Sequence, residues 1–120
     1  MAYTGTHDNE PVVGWFAHRA GERATKAERL ERARCLRYLG TDGSDINWDF
    51  IRAVQMSVAD VSIVPVQDLL GADSSARMNT PGRAEGNWSW RFRSEALTDE
   101  IRERLRVNTH IYGRLREPSA

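Results

Sequence analysis

"DVSIVPVQD" (residues 60–68) decides the fold class of this chain. Its apolar run is short, β-branched and almost without alternation. That is the pattern of a strand buried on both faces, as in a parallel sheet covered by helices. Pro65 has no N–H to give to a ladder, so it fits only near the strand end or at a bulge. Working upstream, residues 2–8 read as the end of a first strand running into a loop. Working downstream, "GADSSARMNTPGRAEGNWSWRFRS" (71–94) reads as a long loop without regular structure. Such a loop is uncommon in a compact domain unless it is functional or disordered. Two Trp and one Phe within it argue against disorder.

The stretches between and after the strands predict helices. In "GERATKAERLERARCLRYLG" (21–40), Ala27, Leu30, Ala33 and Leu36 recur at three-residue steps, with Leu39 next and Gly40 as terminator. Glu28 with Arg32, and Glu22 with Lys26, sit four apart and support an exposed face. The seven basic residues from Arg19 to Arg37 suit either a polyanion-binding helix or a solvated, salt-bridged face, and the interleaved acids favour the second. "TDGSDINWDF" (41–50) is a turn and helix start, with Ser44 or Asp45 as cap. That helix is expected to run to about Ser57, with Phe50, Ile51, Val54 and Val58 inside. A last helix begins near Thr98, with Asp99 and Glu100 in its first turn. Leu97, Ile101 and Leu105 form its stripe, Tyr112-Gly113 its close, and a frayed "REPSA" tail follows. Strand, helix, helix, strand, long loop, helix is βα-type alternation, hence an α/β fold. In parallel α/β folds ligands bind at the carboxyl ends of the strands. Both the His7-Asp8 pair and the long loop follow such ends, so they belong on one face.

Bulk properties narrow the function classes. The chain has 120 residues, room for one small domain, and is 40% hydrophobic and 28% charged. Lys+Arg and Asp+Glu are 17 each, so no global field draws it to nucleic acid or anionic lipid. Cys35 is the only cysteine, which rules out an internal disulfide and a Cys-rich zinc site. No run approaches the roughly 20 apolar residues of a membrane span. No basic start leads into an apolar stretch, so no signal peptide and a cytoplasmic setting are expected.

Two clusters carry chemistry. His7-Asp8-Asn9 offers an imidazole, a carboxylate and an amide in three residues. A carboxylate accepts two hydroxyl hydrogen bonds and an imidazole adds one more, which suits a hydroxylated ligand. Turn and cap chemistry is the competing reading. Metal binding is disfavoured, because His18 and His110 have no matching spacing, and no elbow-type Ser motif supports a nucleophilic triad. The second cluster is "RMNTPG" (77–82) with "GNWSWR" (86–91). Arg77, Asn79 and Asn87 supply polar donors, while Trp88 and Trp90 supply flat faces for sugar C–H groups, or else anchor the loop to the core.

"YTGTHDN" with "GWF" following, "SVADVSIVPVQDLLG", "ARMNTPG" and "GNWSWR" occur in this order. Together they resemble the C-terminal end of the 4-alpha-glucanotransferases, the amylomaltases or disproportionating enzymes of glycoside hydrolase family 77. The resemblance covers essentially the whole chain. It departs at Pro11, where Thr is common, which puts in question the path after Asp8.

The resemblance implies a (β/α)8 barrel and a retaining double displacement that passes α-1,4-glucan segments to another glucan. It implies no metal or organic cofactor, and α-1,4-glucans or maltooligosaccharides as partners rather than nucleic acid or membrane. Asp8 is similar to the family's third carboxylate, which stabilises the transition state, and His7 to a neighbouring sugar contact. Asn9, Arg77, Asn79, Asn87 and Trp88 are the implied substrate-binding residues, with 71–94 as a lid-side loop of a single segment, 1–120. Nucleophile and acid/base come from earlier strands in the family. Glu10, Asp60 and Asp68 match neither motif. A barrel takes about 200 residues or more, so the expectation is its last two βα units or so, incomplete as an isolated chain and inactive alone. A non-catalytic glucan-binding module, or a fragment that completes a separate barrel part, is the alternative.

Overall fold

A computed structural model describes residues 1–116. In chain order it contains β1 (Ala2–Tyr3), α1 (Val12–His18), α2 (Lys26–Leu39), α3 (Ile46–Gln55), β2 (Ser62–Ile63), α4 (Val66–Leu70) and α5 (Asp99–Ile111). Short 3-10 turns lie at Ser74–Ala76 and Ser94–Ala96.

Helix α2 forms where its end signals are strongest. The Thr25 hydroxyl accepts from the Glu28 amide at 3.1 Å, and the Glu28 carboxylate accepts from the Thr25 amide at 2.9 Å. This reciprocal capping box satisfies two donors that the helix leaves open. Gly40 ends the helix at φ 69. In α5 the Thr98 hydroxyl caps the Ile101 amide, as its sequence predicts. Helix α3 starts at Asp45, but not by side-chain capping. Asp45 pairs with Arg104 of α5, and the Ser44 hydroxyl and amide both donate to Asp42. Val58, expected inside, is fully exposed because the helix stops at Gln55 and the chain turns away.

Two helices run against local preference. Five of the seven residues of α1 are Val, Val, Gly, Trp and Phe, poor helix formers. Packing decides instead: Val12 and Phe16 form the core with Ile46 of α3, flanked by Leu36 and Leu39 of α2. Gly43 is required beside this core. Its φ is 82, and a Cβ there would lie 2.6 Å from the Phe16 ring. Pro11 ends the loop before α1, with its carbonyl accepting from Trp15, so the departure from the family pattern is a helix start.

The strand expected over 61–66 is shorter and more open than its sequence suggests. Only Ser62 and Ile63 are strand, paired in parallel with Ala2 and Tyr3. Pro65 stops the ladder and begins α4, which takes Val66. Val61 is 49% and Ile63 47% exposed, because among the described residues β2 pairs with β1 alone and its outer side is left uncovered. The parallel pairing nevertheless brings the carboxyl ends of β1 and β2 together. The basic helix face is partly occupied internally. Arg19 meets Glu31 at 3.1 Å, Arg29 bonds the Gly21 carbonyl, and Arg32 lies over the Phe16 ring. Residues 117–120 of the tail lie outside the described residues.

Candidate functional site

The loop 5–11 leaves β1 and enters α1 directly above the parallel pair. It carries His7, Asp8 and Asn9. His7 Nε2 and Asp8 Oδ2 are 3.3 Å apart, and both side chains are about half exposed. The other Asp8 oxygen accepts from Asn79 Nδ2 at 2.5 Å. Arg77 holds the same corner through the backbone, donating to the Asp8 carbonyl at 2.6 Å and to the Asn79 carbonyl at 2.9 Å. The Asn79 amide donates to the His7 carbonyl at 3.0 Å. Residues some seventy positions apart therefore form one rigid corner.

Trp88 closes one side. Its ring centroid is 4.8 Å from that of His7, tilted by 37°. It is half exposed, and its φ of 61 is the left-handed value that a bulky side chain rarely takes. The Trp88 amide donates to the Met78 carbonyl at 2.5 Å, which ties the two halves of the long loop together. Trp90 is elsewhere: it stacks on Phe92 at 5.6 Å, away from His7. A cavity of about 440 Å³ opens beside the corner, lined by Gly5, His7, Asn9, Pro65, Gln67 and Met78 among others.

Two of the seven expected site residues, Asn9 and Asn87, spend hydrogen bonds on their own loops. Asn9 accepts from the Thr6 amide and hydroxyl, so it shapes the turn that presents Asp8. Asn87 accepts from the Thr80 amide and donates to the Arg83 carbonyl, so it holds the loop 80–87. His7, Asp8, Arg77, Asn79 and Trp88 come together. Among other nearby carboxylates, Glu10 accepts from the Ser74 hydroxyl at 2.6 Å and lies 4.0 Å from Arg19. Asp68 is buried and holds Thr4 and Val12, a role that residue reading missed. The available signal was a carboxylate set directly after an apolar strand. Among the described residues, no three His, Cys, Asp or Glu side chains converge as a metal site would need. No described helix is long and apolar enough to cross a membrane.

Chemically, the corner offers a fixed carboxylate with lone pairs still open to solvent, a half-exposed imidazole and an aromatic face. These are partners for hydroxyls and for a C–H face. The model of a family described as 4-alpha-glucanotransferase matches residues 1–98. The chain is 41% identical over 115 residues to the 4-alpha-glucanotransferase of Synechocystis sp., covering 95% of this chain and 21% of that protein. It is 40% identical over 119 residues to the chloroplastic/amyloplastic 4-alpha-glucanotransferase of Arabidopsis thaliana, covering 96% and 19%. Its structure is similar to that of the amylomaltase from Streptococcus agalactiae in complex with acarbose, with TM-score 0.81 and 35% identity. That likeness covers 96% of this chain and 22% of the other. The chain thus spans about a fifth of the length of the relatives it matches.

Proposed function

This chain belongs to the 4-alpha-glucanotransferase family, and on that premise we propose that it supplies the sugar-gripping corner of an α-1,4-glucan transferase. The corner would sit on about the last two βα units of a (β/α)8 barrel whose other strands lie outside these residues. In the complete enzyme a glucan segment passes to a carboxylate nucleophile, with retention after a second displacement, and then to another glucan. Asp8 accepts hydroxyl hydrogen bonds from the sugar in transfer and stabilises its developing charge, with His7 beside it. Trp88 offers a stacking face.

The observation that carries this reading is the Asp8 carboxylate. It is clamped by Asn79 on one oxygen and faces His7 on the other, yet is about half exposed beside an aromatic ring. Retaining chemistry needs two carboxyl groups about 5–5.5 Å apart across the scissile bond. Glu10 and Asp68 are engaged by neighbouring donors and fit neither role. The chain alone should therefore bind glucan weakly and not transfer it.

The test is complementation. This chain is mixed with the N-terminal part of a related glucanotransferase, and glucose release from maltooligosaccharides is followed. Activity is expected only in the mixture, and Asp8→Asn should lower kcat about 10²–10³-fold, the range for losing one transition-state contact. Saturable quenching of Trp fluorescence by maltooligosaccharides, with no activity in any mixture, would instead favour a binding module. The half-exposed Trp88 ring against His7 is the observation that keeps this second reading open.

A further inference from the structure

We infer that Asp68 is a positioning residue that locks the base of the loop bearing His7 and Asp8. The inference rests on the reading of that corner as the sugar site.

Asp68 is 2% exposed, and none of the described Lys, Arg or His side chains pairs with it. A buried carboxylate without a cation is costly unless directional donors hold it. Asp68 has two, and they come from the two ends of one loop. The Thr4 hydroxyl donates to Oδ2 at 2.5 Å, just after β1. The Val12 amide donates to Oδ1 at 2.9 Å, at the first turn of α1. Between Thr4 and Val12 lie residues 5–11, with His7, Asp8 and Asn9 at the tip.

Asp68 is itself held fast. Its carbonyl accepts from Asn47 Nδ2 at 2.7 Å, a buried bond from α3. The loop is thus gripped at three levels by the segment from 68 to 79: at the base by Asp68, at the rear where Ser74 meets Glu10, and at the tip by Arg77 and Asn79. Among the described hydrogen bonds, only the base grip ties both ends of the loop at once. Losing it lets Asp8 shift relative to a bound sugar, even with Asn79 still attached. A misplacement of about 1 Å can cost about a hundredfold in rate.

The test uses the complemented enzyme and three variants. Thr4→Val removes one donor and keeps the shape. Asp68→Ala removes the whole grip. Asp68→Asn keeps an acceptor for Val12, while the Thr4 hydroxyl can turn to accept from the amide. Kinetics are read per folded molecule, with amide hydrogen exchange over residues 5–12. Expected results are a fall in kcat of about ten- to a hundredfold for Thr4→Val and Asp68→Ala, with KM moved less than about threefold. Exchange at residues 6–10 should quicken in the same two variants, and Asp68→Asn should recover most of both. Unchanged kcat per folded molecule in Thr4→Val, with only a lower Tm, would overturn the inference. If the wild-type mixture neither transfers nor binds acarbose, the sugar reading fails. The exchange comparison in the isolated chain then decides the loop grip by itself: quickened exchange upholds it, unchanged exchange refutes it.

Discussion

Trp88 shows what one residue is asked to do at this site. Left-handed backbone costs a bulky residue about 1–3 kcal/mol, and such strain persists where the surroundings over-determine it. Here the Met78 carbonyl and the His7 ring hold it in place. Replacing it by Gly relieves the strain but adds freedom to the unfolded chain, and the two roughly cancel. Trp88→Gly should therefore leave chemical denaturation nearly unchanged, while, on the proposed sugar reading, maltooligosaccharide binding by the complemented enzyme should weaken about tenfold, the order of one aromatic contact. Glu28 makes a second prediction, in pH. Hydrogen bonds from the Thr25 amide and hydroxyl, helped by His18 and Arg19, hold its carboxyl below the ordinary 4.5. The folded state then binds fewer protons than the unfolded one. Its contribution is present above about 4.5 and is lost as pH falls through the lower folded value. Exchange at the first turn of α2 should accelerate in that window, and Glu28→Gln should flatten the response. Asp42, Asp73 and Glu103 are lowered too, so the difference between the two proteins is the measurement.

At the scale of elements, two joints govern stability. Gly14 of α1 faces the turn at Ser74–Ala76 so closely that a Cβ would lie 2.7 Å from the Ser74 nitrogen, and nearer still to its hydroxyl. In an open helix Gly→Ala gains about 1 kcal/mol. Here the sign should reverse: Gly14→Ala should cost about 1–3 kcal/mol in urea unfolding, as overpacking does, and should loosen Ser74 from Glu10. The second joint is Arg114. Its guanidinium donates to the carbonyls of Gln55, Ser57 and Ala59 at 2.6, 3.1 and 2.7 Å, closing the end of α3. Arg114→Met should cost about 2–3 kcal/mol, and Arg114→Lys should recover less than half, since an ammonium cannot span the fork. These joints mark where residue reading succeeds and where it stops. Helices α2 and α5 are legible from the apolar steps Ala27 to Leu36, from Gly40 and from Thr98 with Asp99 and Glu100, because such signals act locally. Helices α1 and α4 are not, because Val12, Gly14 and Val66 argue against helix, and distant partners reverse that preference: Ile46 beside Val12 and Phe16 for α1, and Asn47 on the Asp68 carbonyl for α4. In the same way the chemistry of His7, Asp8, Arg77 and Asn79 is visible in their side chains. The turn role of Asn9 is the competing reading of His7-Asp8-Asn9, whereas that of Asn87 depends on a loop path that no spacing encodes.

At the scale of the molecule, surface is the telling quantity. The chain exposes 8499 Å², against about 6,600 Å² for a compact monomer of its mass. Its radius of gyration is 15.6 Å, against about 13.6 Å for a compact chain of this length. Part of the excess is apolar and clustered: Met1, Tyr3, Val61 and Ile63 line the bare side of the two-stranded ribbon. An open parallel edge with apolar flanks invites pairing. The isolated chain should sediment as a concentration-dependent mixture of oligomers, and Ile63→Lys should shift it toward monomer. The parallel order of the two strands was legible from "DVSIVPVQD". Its bareness was not, since that run has the composition of a strand covered on both faces.

Four ties that fasten the His7–Asp8 loop run forward along the chain: 56 residues to Asp68 from Val12, 64 from Thr4, 69 from Asp8 to Arg77 and 71 to Asn79. On a ribosome moving at about 5–20 residues per second, the corner leaves roughly 3–14 s ahead of its fasteners. During that interval the nascent protein carries His7 and Asp8 on a slack tether. On the proposed reading of the corner, glucan met early in synthesis finds no grip, and the corner takes shape only once the loop 77–88 has emerged.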